Sequence, residues 1–365
     1  MERLTGRQAA MWFCFYYIGT ATLILPASLV NIAKQDAWLS VFIAIGLHFL
    51  TLPLIFALSN QLQDKAAGDY LEAIVGKWPG KIALSIFIFA FPYLTFILTL
   101  RFLSDFITTS IMPATPSSAV YFLMLTAVVY VVRSGVATIG RTAEILFFLV
   151  LLFLSFLMIS LVPNARLENL LPIFEHGLKP VITASFPMLA FPYLDSVIFL
   201  FLLPHFRDLK RWKSAIIKSS LLSGTIYLIV TLAVTAVLSH GVTANLTFAS
   251  YFAVRTISVS DFYERFEALF TIVFYITVFF KLSLLLYVTA QGITSLFRLS
   301  SYKSLLIPLS LIGLIIADAA WPNIMFMLRF LRETWPYYAI LFGLLLPMII
   351  WAIGLLRNAG PQTKL

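Results

Sequence analysis

Two opposite charges stand inside apolar stretches of this chain. Asp195 closes the run FPMLAFPYLD, which carries prolines at 187 and 192, and Lys281 lies deep in a second long apolar run. An ionisable side chain within a membrane-length segment is costly enough to mark function by default. Asp195 has the chemistry to meet a ligand amine or to take up a proton. The competing reading is a cap for a helix that restarts after Pro192. Lys281 has the chemistry to replace a bound coupling cation. Its competing readings are a lysine that snorkels to the membrane surface, or one that pairs statically with a carboxylate. Glu267, Phe274 and Thr277 share a helical face with it, so Lys281, Thr277 and Glu267 form a candidate coupling or gating set.

A third group precedes Pro26. Gly19, Thr20, Ala21 and Thr22 open the motif GTATLILP near the middle of the first apolar run. An unwound turn there presents free backbone N–H and C=O groups and two hydroxyls, which suit the carboxylate and amine of an amino acid. The alternative is a proline kink with small residues packed on a neighbour. Matching breaks in two halves of a membrane protein point to a binding site between them. Met188, Phe191 and Tyr193 join Asp195 as candidate ligand contacts from the second break, and they favour an apolar or aromatic ligand side chain.

The remaining polar groups in apolar runs carry structural readings. Arg101 and Asp105 form an i, i+4 ion pair, and His48 reads as hydrogen-bonded packing. Cys14 is the only cysteine and the four histidines are scattered. No phosphate-binding glycine loop and no nucleophile–His–acid grouping can be placed, so neither an enzyme, a cofactor nor a metal is expected.

Positioning these groups requires membrane-spanning helices. The chain is 61% hydrophobic and 11% charged, with a mean hydropathy of +0.97, whereas soluble domains carry about 25% charged residues. Ten spans are predicted near 8–29, 38–60, 82–110, 117–132, 143–162, 180–203, 214–238, 264–292, 304–320 and 336–356. The whole chain reads as one all-α transmembrane domain, with repeats at about 8–162 and 180–356. Two repeats of five spans must be inverted relative to each other, with helices 1 and 6 broken. In such an arrangement Lys281, in span eight, stands close to where a coupling cation sits between spans one and eight. Asp69 and Glu72 in capping-box spacing predict a helix on the inner membrane surface at about 69–79. Leu167, Leu170, Leu171 and Phe174 keep helical spacing in the 163–180 link, interrupted by Pro172.

The net charge of +9 is explained by topology rather than by nucleic acid. Outside the spans, the side opposite the N-terminus holds only Lys34, Arg166, Lys179, Arg255, Arg265, Arg329 and Arg332. Most of the rest lie on the N-terminal side, which predicts both termini in the cytoplasm. No cleavable leader is read after Met1-Glu2-Arg3.

Four stretches resemble a known family: Gly19 to Pro26 (GTATLILP), Asn169 to Val181 (NLLPIFEHGLKPV), Glu264 to Glu267 (ERFE), and the Arg101–Asp105 pair ahead of Pro113-Ala114-Thr115-Pro116. Nearly the whole chain resembles the B subunits of the nutrient germinant receptors of endospore-forming bacteria, within the amino acid–polyamine–organocation transporter superfamily. The resemblance implies a multi-pass subunit of the spore inner membrane that binds a small nutrient, an amino acid above all. Such a subunit acts with a membrane-embedded A subunit and a lipoprotein C subunit to start germination. The other function the same pocket would serve is proton-coupled secondary transport of an amino acid. The chain departs from the family pattern at Ala21, where relatives often have a second glycine, and at Asp195, near which relatives tend to carry glutamate.

Overall fold

A computed structural model describes residues 3–62, 65–257 and 266–357. Its sixteen α-helices follow in chain order. In the first half they are α1 (Gly6–Ile18), α2 (Ala21–Ala33), α3 (Ala37–Leu62), α4 (Ala67–Val75), α5 (Lys77–Ile88), α6 (Leu94–Ser110), α7 (Ser117–Arg133) and α8 (Val136–Leu161). In the second half they are α9 (Leu178–Ala190), α10 (Leu209–Thr243), α11 (Ala249–Arg255), α12 (Phe266–Phe297), α13 (Leu306–Ala319), α14 (Ile324–Glu333), α15 (Trp335–Ile340) and α16 (Leu346–Leu356). Eight stretches are long and apolar enough to cross a bilayer, and Ser117–Arg133 is a shorter apolar helix. One of the eight, Ala21–Leu62, joins α2 to α3 through a tight turn at Lys34–Asp36. Taking α1–α2 and α3 as separate crossings gives the ten spans of a polytopic all-α membrane protein.

The bundle is organised around α1 and α12. From Trp12 to Ile18 every residue of α1 is buried, the pattern of a helix enclosed on all sides. It packs against α8, α10 and α12. Flat ring pairs hold it in place: Phe15 on Phe280 of α12 at 4.6 Å and Phe13 on Phe199 of the segment after α9 at 4.0 Å, both with 7° between ring planes. Trp12 donates its indole N–H to the Phe280 carbonyl at 3.1 Å, satisfying a donor that would be costly to leave unpaired away from water.

Two differences from the expected elements have local causes. Helix α4 covers 67–75 rather than 69–79, because Gly76 ends it in the left-handed region at φ 107°. Residues 77–79 instead begin α5, the first part of the third span. Asp69 and Glu72 form no capping box, since Ala66 is the N-cap and has no side chain to cap with. Glu72 instead pairs with Arg298 at 3.0 Å. In the 163–180 link two short 3₁₀ turns form before α9 begins, Val162–Asn164 and Leu167–Leu170. The link is strapped down by all three side chains of the turn after α2, with Lys34 Nζ meeting His176 Nε2 at 2.7 Å. Asp36 accepts from the Phe174 N–H, and Gln35 donates to Glu175 at 2.7 Å and to the Pro172 carbonyl at 3.0 Å. The NLLPIFEHG stretch is thus held by backbone capture more than by an apolar face.

Candidate functional site between two broken helices

The first span breaks at Gly19 and Thr20. Gly19 takes φ −12° and ψ −114°, outside helical geometry. The Thr22 hydroxyl turns back to the Ile18 carbonyl at 2.9 Å and the Gly19 carbonyl at 3.2 Å, covering oxygens that the break releases. Pro26 lies inside α2 and does not itself break the helix. Lacking an N–H, it leaves the Thr22 carbonyl without its helical donor, and Ser250 of α11 supplies one at 2.7 Å. Thr20 and Ala21 are buried at the break.

The sixth span breaks one turn after Pro187. Helix α9 stops at Ala190, Phe191 is extended, and a 3₁₀ segment runs from Tyr193 to His205. A 3₁₀ run of this length is unusual and is typical of hinges or functional strain. Asp195 sits in its first turn but does not cap it, since the N-cap is Pro192 and makes no side-chain bond. The carboxylate turns across the bundle instead and accepts the Tyr16 hydroxyl on Oδ2 at 3.0 Å.

These breaks face one another over Lys281. The Lys281 Nζ lies 4.1 Å from the centre of the Phe191 ring and 4.9 Å from that of Tyr16. Its stem runs past Gly19 so closely that a Cβ there would fall 2.9 Å from Lys281 Cδ. Gly19 is therefore required for space as well as for the turn. Asp195 and Lys281 are both 0% exposed. Asp195 Oδ1 and Lys281 Nζ have no hydrogen-bond partner, and no ion pair joins the two residues among the described residues. The two buried charges still feel one another electrostatically, which offsets part of the penalty of holding both in a low-dielectric interior, but neither gains a direct hydrogen bond from the other. The arrangement offers an anion acceptor and a cation acceptor side by side, next to backbone freed from helical hydrogen bonding.

Above Phe191, at the end of the bundle away from the N-terminus, a cavity of about 80 Å³ is lined by α2, α9, α14 and α15 together with the link after α10. Phe191 lines it together with Ile24, Ser28, Pro187, Leu246, Leu331, Arg332 and Trp335. The ring of Phe191 thus contacts both the cavity and the ammonium.

Other expected site residues lie elsewhere. Tyr193 stacks on His48 at 4.5 Å and approaches Ser223, so its ring points toward α3 and α10. Met188 is buried in α9. Thr277 bonds its own helix through the Phe274 carbonyl at 2.9 Å. Glu267 is in the first turn of α12, fourteen residues and about 21 Å from Lys281 along the axis, so the shared face does not make it a neighbour of the ammonium. Glu264 and Arg265 of the ERFE stretch lie outside the described residues. Arg101 grips Asp105 through Nε at 3.0 Å and also donates to the Ala317 and Asp318 carbonyls, clamping the end of α13.

Sequence reading missed Tyr16, which links Asp195 and Lys281, and Tyr17, whose hydroxyl meets Ser196 at 2.6 Å. A signal existed. Both tyrosines fall within one turn of Gly19, and a tyrosine hydroxyl inside a span needs a partner. Among the described residues no group of three or more His, Cys, Asp or Glu is placed to hold a metal.

Comparison with known proteins supplies the lineage of the chain. A family profile described as "Spore germination protein" matches residues 3–320. The chain is 25% identical over 360 residues to Spore germination protein KB of Bacillus subtilis (strain 168), covering 98% of this chain and 95% of that one. Among solved structures it is similar to Mhp1, a nucleobase-cation-symport-1 family transporter in a closed conformation, with a TM-score of 0.71 at 16% identity over 98% of this chain and 79% of that one. It is also similar to MhsT in complex with L-phenylalanine, with a TM-score of 0.68 at 15% identity over 97% of this chain and 99% of that one. At these identities the structures share the fold, a transporter architecture of five plus five inverted spans with the first and sixth broken.

Proposed function

We propose that this chain, which belongs to the spore germination protein family, is the ligand-binding membrane subunit of a spore germinant receptor. Its ligand is a small zwitterionic nutrient, an amino acid. The observation that carries this reading is the pair of orphaned buried atoms. Lys281 Nζ is suited to a ligand carboxylate and Asp195 Oδ1 to a ligand ammonium, while the broken turn of Gly19, Thr20, Ala21 and Thr22 lies beside them. Phe191 is the gate. The Lys281 ammonium rests on the Phe191 ring in the closed state, and a ligand carboxylate draws it away. A ligand shifts such an equilibrium only by its differential affinity for the two states, and this exchange supplies the difference.

In this account the protein works in the spore inner membrane with both termini in the cytoplasm. A membrane-embedded A subunit and a lipoprotein C subunit read the shift and start germination. The alternative is a proton-coupled amino acid transporter, and the observation favouring it is the same buried Asp195–Lys281 pair, which could exchange a proton.

Deleting the gene in a spore former and scoring germination against single amino acids, sugars and nucleosides tests the proposal. Selective loss of the response to one amino acid, restored by wild type and not by Asp195→Asn, is the expected result. Unchanged germination with reduced uptake of an amino acid by growing cells would instead establish transport.

A further inference from the structure

A second built site lies at the other end of the bundle. A groove of about 520 Å³ opens between α1, α8 and α10 on the N-terminal side. Arg7 rims it from α1, and Lys210, Arg211 and Lys218 rim it from α10. No acidic residue lines it. Glu144 answers Arg7 alone, at 3.1 Å, and Asp208 is spent capping the Lys210 N–H at 2.8 Å. Lys210, Arg211 and Lys218 have no ion-pair partner among the described residues.

The groove changes character along its length. On α10 the lining residues Lys210 and Arg211, Ser214, Lys218 and Leu222 follow at helical spacing, so the cations run about 12 Å along the helix to Lys218 and give way to Leu222 one turn further. On α1 the same order holds, from Arg7 to Met11, and Phe147 of α8 closes the floor. Cations at the membrane surface above an apolar trough match one kind of molecule, an anionic phospholipid with its phosphate at the rim and an acyl chain along the floor. A soluble anion would leave that trough empty. Topology alone puts positive charge on this side, but it does not gather three unanswered cations around an apolar groove against the first broken helix.

We infer that this groove binds an anionic phospholipid of the leaflet on the N-terminal side, and that the lipid braces α1 against α10 below the Gly19 break. At Gly6 a Cβ would already sit 3.3 Å from the Arg211 carbonyl, so the two helices are close enough for one headgroup to bridge them.

The test is native mass spectrometry of the full chain extracted from bilayers of equal phosphatidylglycerol and phosphatidylcholine. Wild type retains phosphatidylglycerol in preference. Lys210→Gln/Arg211→Gln/Lys218→Gln loses that preference by about fivefold for each charge removed. Lys65→Gln/Lys77→Gln/Lys81→Gln, the same charge change on the same side, keeps it. The single Lys218→Met, which preserves the stem, reports the effect if the triple variant fails to fold. Equal retention of both lipids by wild type, or equal loss in both triple variants, would overturn the inference. Displacement of phosphatidylglycerol by inorganic phosphate at millimolar concentration would reassign the groove to a soluble anion and overturn it as well.

Discussion

Lys281 and Phe191 form a closed contact across the two breaks, with the ammonium 4.1 Å from the ring centre and without a hydrogen bond. A desolvated cation–π contact is worth about 2 kcal/mol. A charge-assisted hydrogen bond to a carboxylate is worth about as much or more, and gains further from the low local dielectric. A carboxylate reaching this point therefore displaces the ring. In the proposed receptor this contact holds the resting state and yields to a ligand carboxylate.

Asp195→Asn tests the ammonium end. Asparagine keeps an oxygen to accept the Tyr16 hydroxyl, so the bundle is preserved while the charge is lost. Losing about 2 kcal/mol of ion pairing shifts the nutrient dose–response of germination by about 30-fold to higher concentration, with unchanged protein in the membrane by immunoblot. If the protein level falls along with the response, Asp195 is a folding residue.

Phe191→Leu tests the gate. Leucine keeps an apolar plug between the outer cavity and the site but has no ring for the ammonium. With about 1–2 kcal/mol removed from the closed state, spores carrying it respond at roughly tenfold lower nutrient concentration or germinate spontaneously. A dose–response identical to wild type would remove the ring from the mechanism.

Gly19→Ala tests the close approach. The added methyl would sit 2.9 Å from Lys281 Cδ and 3.3 Å from the Tyr16 carbonyl, so the lysine stem must leave its place on Phe191. Displaced from the site, the ammonium no longer meets a ligand carboxylate, so the response falls sharply at constant protein level even though the Phe191 contact is lost, and Gly19→Ala/Lys281→Ala does not restore it, because the ammonium is gone. A wild-type response from Gly19→Ala would mean that the stem has room to move without consequence.

Ser250→Ala tests the support behind the first break. The Thr22 carbonyl loses the hydroxyl that replaces the missing Pro26 donor. Leaving that carbonyl unsatisfied costs about 1–3 kcal/mol, read as a lowered melting temperature of the purified protein in detergent. Unchanged melting would place a water at that oxygen.

The spans, their breaks and the two buried charges were readable from the sequence because each rests on a one-dimensional signal: apolar length, helix-breaking residues, or an ionisable group out of place. What escaped depends on three-dimensional neighbours. Tyr16 joins Asp195 only because the sixth span folds back across the first, and Tyr193 turns toward His48 because α3 and α10 pack on that side. Helical periodicity aligned Glu267 with Lys281 correctly in angle but carries no limit on axial distance. The unwound turn expected over Gly19 to Thr22 is made at Gly19 and Thr20, and Ser250 lets Pro26 remain in a helix. The helices α11 and α14 were missed because each is only two or three turns long and lies between spans.

The most direct test of the account is thermal stabilisation of the purified full chain in lipid nanodiscs by a panel of amino acids, sugars and nucleosides. For any amino acid that stabilises, its α-amide and its des-amino acid are then compared. The account predicts stabilisation by an intact amino acid, loss of the effect when either the carboxylate or the ammonium is removed, and no effect of the same amino acid on Lys281→Met. Equal stabilisation by the amide, or by a sugar or nucleoside that carries neither charge, would contradict it.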